Sequence, residues 1–333
     1  MRALILEDAN PVEKNPLREV DLPTPQPEAG QVRVKIAACA LCHTDLHIVE
    51  GDLPLHRRPV VPGHQIVGRV DAVGAGVRDR KEGDRVGIAW LHSTDGVCEY
   101  CRGEQENLCP KARFTGYDVD GGYAEYTVVP AEFCYPIPTA FPDENAAPLL
   151  CAGIIGYRSY RLSAIQPGGN LGLYGFGASA HLVIQMARHQ RVNVFVFTRS
   201  DGHRAHAREL GAAWTGRAED SPPESLHAAI VFAPAGALVP EALRVLRKGG
   251  TLALAGITMS QIPALDYSLL YDERVVRSVA NSTRRDAREF LALAADVPLR
   301  TEVEIFELAD ANRALAALKT SAIRGAGVLR ISA

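Results

Sequence analysis

Within the stretch Cys39 to Pro54, CALCHTDLHIVEGDLP, a thiol, a hydroxyl and two imidazoles crowd into Cys42, His43, Thr44 and His47. A hydrophobic core has no use for that density of reactive groups. Thr44 and His47 are three apart, so on a helix they share one face, with Cys42 just ahead at the helix start. Further on, GHQIVG (Gly63 to Gly68) supplies His64, an imidazole that could meet Cys42 on one metal ion. A third candidate, Cys151, stands in LLCAGIIGY among small and apolar residues, where no local group partners a thiolate. Two thiolates and one neutral imidazole make an open zinc site, which keeps its fourth position for water or substrate. The two sulfurs cancel the 2+ charge of the ion, and the neutral imidazole adds none.

Composition narrows the class of protein. The 333 residues suffice for two full-sized cores, and 47% hydrophobic with 23% charged residues is a soluble, globular balance. A net charge of -3 projects no strong field toward nucleic acid or a membrane. No apolar run is long enough to span a bilayer, and the first residues, MRALILEDAN, do not read as an export signal. A cytoplasmic protein is therefore expected, and its seven cysteines then read as metal ligands and buried thiols, Cys39 and Cys134 among the latter.

Two grammars of secondary structure follow each other along the chain. QVRVKIAA alternates Val32, Val34 and Ile36 with polar residues, and IVGRVDAVG, GDRVGIAW and YAEYTVV add further strands without helices between them. That succession predicts an antiparallel, barrel-like domain. From about residue 153 strands and helices alternate: NLGLYGFGASAHLVIQMARHQ is strand, glycine turn and helix, NVFVFTRS a second strand, and HAAIVFA, TLALAGI and VVRSVA further ones, with EALRVLRKGG expected as a helix. The alternation predicts a doubly wound parallel sheet.

Gly175-Phe176-Gly177-Ala178-Ser179-Ala180 is a GxGxxA loop between strand and helix, the context in which a pyrophosphate approaches a helix N-terminus. An NAD site usually has an acid at the end of the next strand, about 20 residues past the glycines. Here Thr198, Arg199 and Ser200 stand there, a guanidinium suited to a phosphate, so NADP is expected over NAD. Arg204 is placed to assist, and the bland alternative is an Arg199 that only meets solvent.

In order and spacing, CHTDLH, PGHxxxG, LLCAGxxxY and the glycine loop resemble the zinc-dependent medium-chain alcohol dehydrogenases, over essentially the whole chain. The resemblance implies an α/β protein: a GroES-like β-barrel catalytic domain of residues 1–152 and 282–333 with the zinc sites, and a Rossmann domain of residues 153–281. It assigns Cys42, His64 and Cys151 to a catalytic zinc. Asp95, Cys98, Cys101 and Cys109 match a structural zinc lobe that normally carries four cysteines; a lobe holding its shape without metal is the alternative. Thr44 and His47 would relay the substrate proton, His47 being otherwise a plain exposed helix residue. His43 and Arg324 would contact the pyrophosphate, while Ala255, Gly256, Ile257, Ser278 and Ala280 would border the nicotinamide. Thr44, Leu53, Trp90 and Ile257 would line the substrate pocket, and Leu53 stands where some ethanol-oxidising relatives carry Trp, which implies a roomier pocket for medium-chain or aromatic alcohols and aldehydes. Gln65 departs from the family, which commonly has Glu after the metal-binding His; this puts ligand exchange, rather than zinc retention, in question. The expected reaction is hydride transfer between a primary alcohol and NADP, in a homodimer or homotetramer. A zinc-free quinone or enone reductase, a polyol dehydrogenase and a non-catalytic nucleotide-binding scaffold are the rivals, and the Cys42, His64 and Cys151 set stands against the two enzymes.

Overall fold

The computed structural model describes residues 1–332 and divides the chain into two compact units. Unit one takes Met1–Cys151, Ser282–Asp296 and the chain from Thr301 on; unit two takes Ala152–Asn281 and Val297–Arg300. The short segment Val297–Arg300 is held in unit two by a reciprocal pair of bonds: Arg300 N–H donates to Gln185 Oε1 (2.8 Å) and Gln185 Nε2 donates to the Arg300 carbonyl (3.1 Å).

In the first unit the strand Gln31–Ala40 is the hub of a seven-stranded sheet. It pairs antiparallel with Gln65–Val73, Tyr126–Pro130 and Ala326–Arg330. Val32, Val34 and Ile36 point inward with no exposed surface, as their alternation requires. They meet Ile48, Val60, Ile66, Ile88 and Phe133 in one apolar core. Register shifts at Arg33/Val34 and Ile36/Ala38 bend this long strand.

The second unit is a six-stranded parallel sheet in the order Trp214–Gly216, Asn193–Phe197, Asn170–Tyr174, Leu226–Val231, Leu246–Leu254, Val275–Ser278. Counted within the unit this is 3-2-1-4-5-6, the Rossmann order, which reverses beside the first strand. Asn170–Tyr174 is buried along its whole length, as a central parallel strand should be. One expectation is corrected here. EALRVLRKGG does not stay helical: the helix is Leu238–Arg244, and Leu246 to Gly250 already belong to the next strand, Leu246–Leu254. Leu246 pairs with Leu226, and the register shifts before Thr251 meets Ala228, so an irregular ladder takes up the glycines. Among the described residues no helix is long and apolar enough to cross a membrane.

Candidate active site

The helix His43–Glu50 starts at Cys42 and stops at Gly51, whose φ of 86° suits a left-handed cap. Asp45, the third residue of that helix, is fully buried and accepts a hydrogen bond from the Cys42 backbone N–H (2.9 Å). Its other oxygen accepts from His64 Nδ1 at 2.9 Å. One carboxylate thus caps the helix and orients the His64 ring by accepting from Nδ1, which turns Nε2 into the atom that would ligate a metal ion. Asp45 is the functional residue that motif reading overlooked. Its signal was the capping-box position three residues after Cys42.

His64 ends a turn at Gly63, where φ is 93° and an added Cβ would strike the Tyr123 ring at 2.4 Å. Leading from it, Gln65–Val73 carries Gln65 away from the ligands: the amide is buried and Nε2 donates to the Ala40 carbonyl at 3.3 Å. Cys151 follows the turn Ala147–Leu150. Its Sγ lies 3.8 Å from that of Cys42, and one ligand atom of each of Cys42, His64 and Cys151 falls within 4.8 Å of the others. Two sulfurs at zinc bond lengths around one tetrahedral ion lie ~3.8 Å apart, so the donor set fits.

The electrostatics agree with a cation site. The Cys42 thiol is held well below its ordinary value because Cys151 donates to it and His64 lies beside it, against the opposing effect of burial. Cys151 is pushed up by the same bond and by burial. Burial disfavours a charged His64, yet the Asp45 carboxylate prevails and raises the ring to about 10. The Cys42 sulfur and the Asp45 carboxylate thus flank a protonated His64 ring, and a metal ion bound there would take the place of the ring's second proton. Thr44 is buried, with Oγ1 3.6 Å from Cys42 Sγ, and His47 is part-exposed with Nδ1 2.8 Å from Asp52 Oδ2.

A second set is brought together by the turn before the short helix Glu99–Arg102: ligand atoms of Asp95, Cys98, Cys101 and Cys109 lie within 4.8 Å of one another. Cys98 and Cys101 Sγ are 3.5 Å apart, and Cys101 Sγ lies 3.4 Å from Asp95 Oδ1. That same oxygen accepts the backbone N–H groups of Val97 and Cys98, at 3.0 Å each, which drive the carboxyl far below its usual range. Three sulfurs and a carboxylate oxygen are four donors of the types a closed structural zinc site takes, so the set fits such an ion.

In the second unit Gly175 has φ 87°, and a Cβ there would press on Ala233 at 3.0 Å. A Cβ on Gly177 would meet nothing within 4 Å, so the turn leaves room for a ligand above the start of the helix Ala178–His189. Ala180 is fully buried against the sheet. Arg199 is exposed just past the strand Asn193–Phe197, and Ser200 caps the helix Asp201–Glu209 by accepting from His203 N–H. Arg204 is occupied: it donates to the carbonyls of Thr198 (2.7 Å) and Arg199 (3.2 Å) and pairs with Asp201. Ala255, Gly256 and Ile257 follow the strand Leu246–Leu254, Ile257 being 56% exposed. Ser278 and Ala280 are exposed at and beyond the end of Val275–Ser278. In the first unit His43 is exposed, Leu53 and Trp90 are part-buried, and Arg324 is exposed and paired with Glu302 at 3.2 Å.

A GroES-like domain joined to a 3-2-1-4-5-6 parallel sheet is the architecture of the medium-chain dehydrogenases. Residues 28–139 match the family model described as alcohol dehydrogenase GroES-like domain, and residues 178–296 the one described as zinc-binding dehydrogenase. The chain is 48% identical over 337 residues to the probable alcohol dehydrogenase AdhA of Mycobacterium tuberculosis, covering 99% of this chain and 97% of the relative. It is 38% identical over 328 residues to an alcohol dehydrogenase of Geobacillus stearothermophilus, covering 96% of each. Among solved structures, a cinnamyl alcohol dehydrogenase from Sorghum bicolor superposes with a TM-score of 0.88 at 27% identity, over 98% of this chain and 97% of the other. The protein belongs to the medium-chain alcohol dehydrogenase family, and its activity is that class of oxidoreductase chemistry.

Proposed function

We propose that the protein is a zinc-dependent dehydrogenase that transfers a hydride between primary alcohols or their aldehydes and a nicotinamide cofactor, with NADP preferred to NAD. The observation that carries this reading is the convergence of Cys42, His64 and Cys151, with Asp45 behind His64. When bound, zinc supplies the Lewis acidity that lowers an alcohol's pKa and the nicotinamide supplies the hydride acceptor. The chain's own residues do the rest. Cys42, His64 and Cys151 hold the ion with one position open, and Asp45 orients the imidazole. By resemblance to the family, the Thr44 hydroxyl would accept the substrate proton as it gives up its own, and the part-exposed His47, at the outer end of that relay, would release a proton to solvent. A quinone or enone reductase would have no use for this ligand set.

NADP is favoured by the exposed Arg199 guanidinium at the strand end, where Arg204 already neutralises Asp201. The set of Asp95, Cys98, Cys101 and Cys109 would hold a structural zinc. A homo-oligomer, dimer or tetramer, is supported by the edge strand Val275–Ser278, exposed throughout, beside Tyr267 and Tyr271, each 70% exposed. A cytoplasmic location suits seven cysteines that are all free. The test is turnover of a panel of primary alcohols and aldehydes with NAD and with NADP, zinc being quantified in the same preparation. A zinc-loaded protein that turns over none of them would sink the reading.

A further inference from the structure

Beside the metal set stands a group of aromatic rings, all in the first unit. The Trp90 indole meets the His64 ring edge-on, with centres 4.9 Å apart and planes at 75°. Phe114 stacks on Trp90 at 5.1 Å and 15°, and Tyr117 at 5.9 Å and 24°. Neither supporting ring is loose. The Tyr117 hydroxyl donates to the Pro54 carbonyl at 2.7 Å and lies 3.1 Å from His56 Nε2. Phe114 N–H donates to Asp118 Oδ2 at 2.8 Å, and the other Asp118 oxygen lies 2.8 Å from His56 Nδ1. The loop carrying Pro54 and His56 and the loop carrying Phe114 and Tyr117 are thus bonded together around the indole.

The consequence for a ligand is geometric. A lone part-buried Trp swings between rotamers, but an indole with two near-parallel rings against it keeps one plane. The indole stands beside His64, so an arm extending from an oxygen on a zinc ion held there would run along it. Resting on the zinc alcohol dehydrogenase reading, we propose that Phe114 and Tyr117 are positioning residues that lock Trp90 as one wall of a flat slot, which selects alcohols and aldehydes bearing a planar arm over puckered ones of equal bulk. The indole face attracts the polarised edges and faces of an aryl group, and a puckered ring of the same carbon count cannot lie flat on it.

Benzyl alcohol and cyclohexylmethanol separate flatness from size. With the zinc-loaded wild type, kcat/KM should favour benzyl alcohol by about tenfold, and Phe114→Ala should cut that ratio about three- to tenfold, chiefly through KM for the aryl substrate. Phe114→Tyr should restore the ratio, whereas Phe114→Leu, which refills volume without a π-face, should not. Zinc content and Tm of each variant show that it is folded and loaded. A second readout is independent of turnover: Trp90 and Trp214 are the two tryptophans, so in a Trp214→Phe background the fluorescence anisotropy of Trp90 should fall with Phe114→Ala. A wild-type ratio near one, a ratio unmoved by Phe114→Ala, full rescue by Phe114→Leu or unchanged anisotropy would each overturn the slot while leaving the enzyme reading intact. No turnover of either alcohol by zinc-loaded protein would overturn both.

Discussion

Asp45 shows how much one side chain can carry. Completely buried between the Cys42 backbone and the His64 ring, it sets the start of a helix and the orientation of an imidazole at once. Asp45→Asn should weaken zinc binding about 10- to 100-fold, measured by competition with a chelator. In the second unit, the proposed NADP preference predicts that Arg199→Ala lowers kcat/KM with NADP by roughly tenfold while leaving that with NAD within about twofold, as loss of a charge-assisted contact to a phosphate that only NADP carries would do. His92 sets an acid limit on stability. It is buried with Nε2–H donating to the Val128 carbonyl at 3.2 Å, and burial brings its pKa down from 6.5 to about 4. Between those values the unfolded chain takes up a proton that the folded chain does not. The stability His92 contributes is therefore full above pH about 6.5 and drains away as pH falls toward 4, by an amount on the order of 3 kcal/mol. Urea unfolding at several pH values should show this slope, and His92→Gln should flatten it.

At the scale of elements, the turn and helix from Asp95 to Cys109 form a loop whose ligands already face one another. Closed tetrahedral sites contribute folding free energy directly. Wild-type protein is expected to hold two zinc ions per chain and Asp95→Ala one, with a lower Tm, while Asp95→Cys should keep both; atomic absorption on dialysed protein reads the count. The active-site elements were legible to different degrees. The shared face of Thr44 and His47 was readable only on condition that their segment is helical, which the helix His43–Glu50 meets, and the loop Gly175 to Ala180 was readable from its place between strand and helix. The failure at RKGG has a non-local cause: Arg247 and Lys248 continue a helical polarity pattern, and Leu246 instead pairs with Leu226 on the neighbouring strand. Gln65 was readable as a departure from the family, but that its amide is tied to the Ala40 carbonyl came only from the strand pairing of Gln65 with Ala40.

For the molecule as a whole, the exposed strand Val275–Ser278 offers an unpaired edge with Val275 47% and Val276 36% exposed. Val276→Glu places a charge on that edge and should shift an oligomer toward monomer in sedimentation, with the Rossmann unit still folded. Residue types and their order along the chain were enough to determine the α/β class and the change from a run of strands to alternating strands and helices, because hydrophobic period is a local property, whereas grouping Cys42, His64 and Cys151 on one ion came from the family resemblance. Tertiary structure alone decided which carboxylate stands behind His64, that Arg204 is spent on its own strand end, and that Phe114 and Tyr117 lie against Trp90. Each of these depends on side chains brought together by sheet register and loop closure, and a contact between distant residues leaves no period in a sequence for a reader to find.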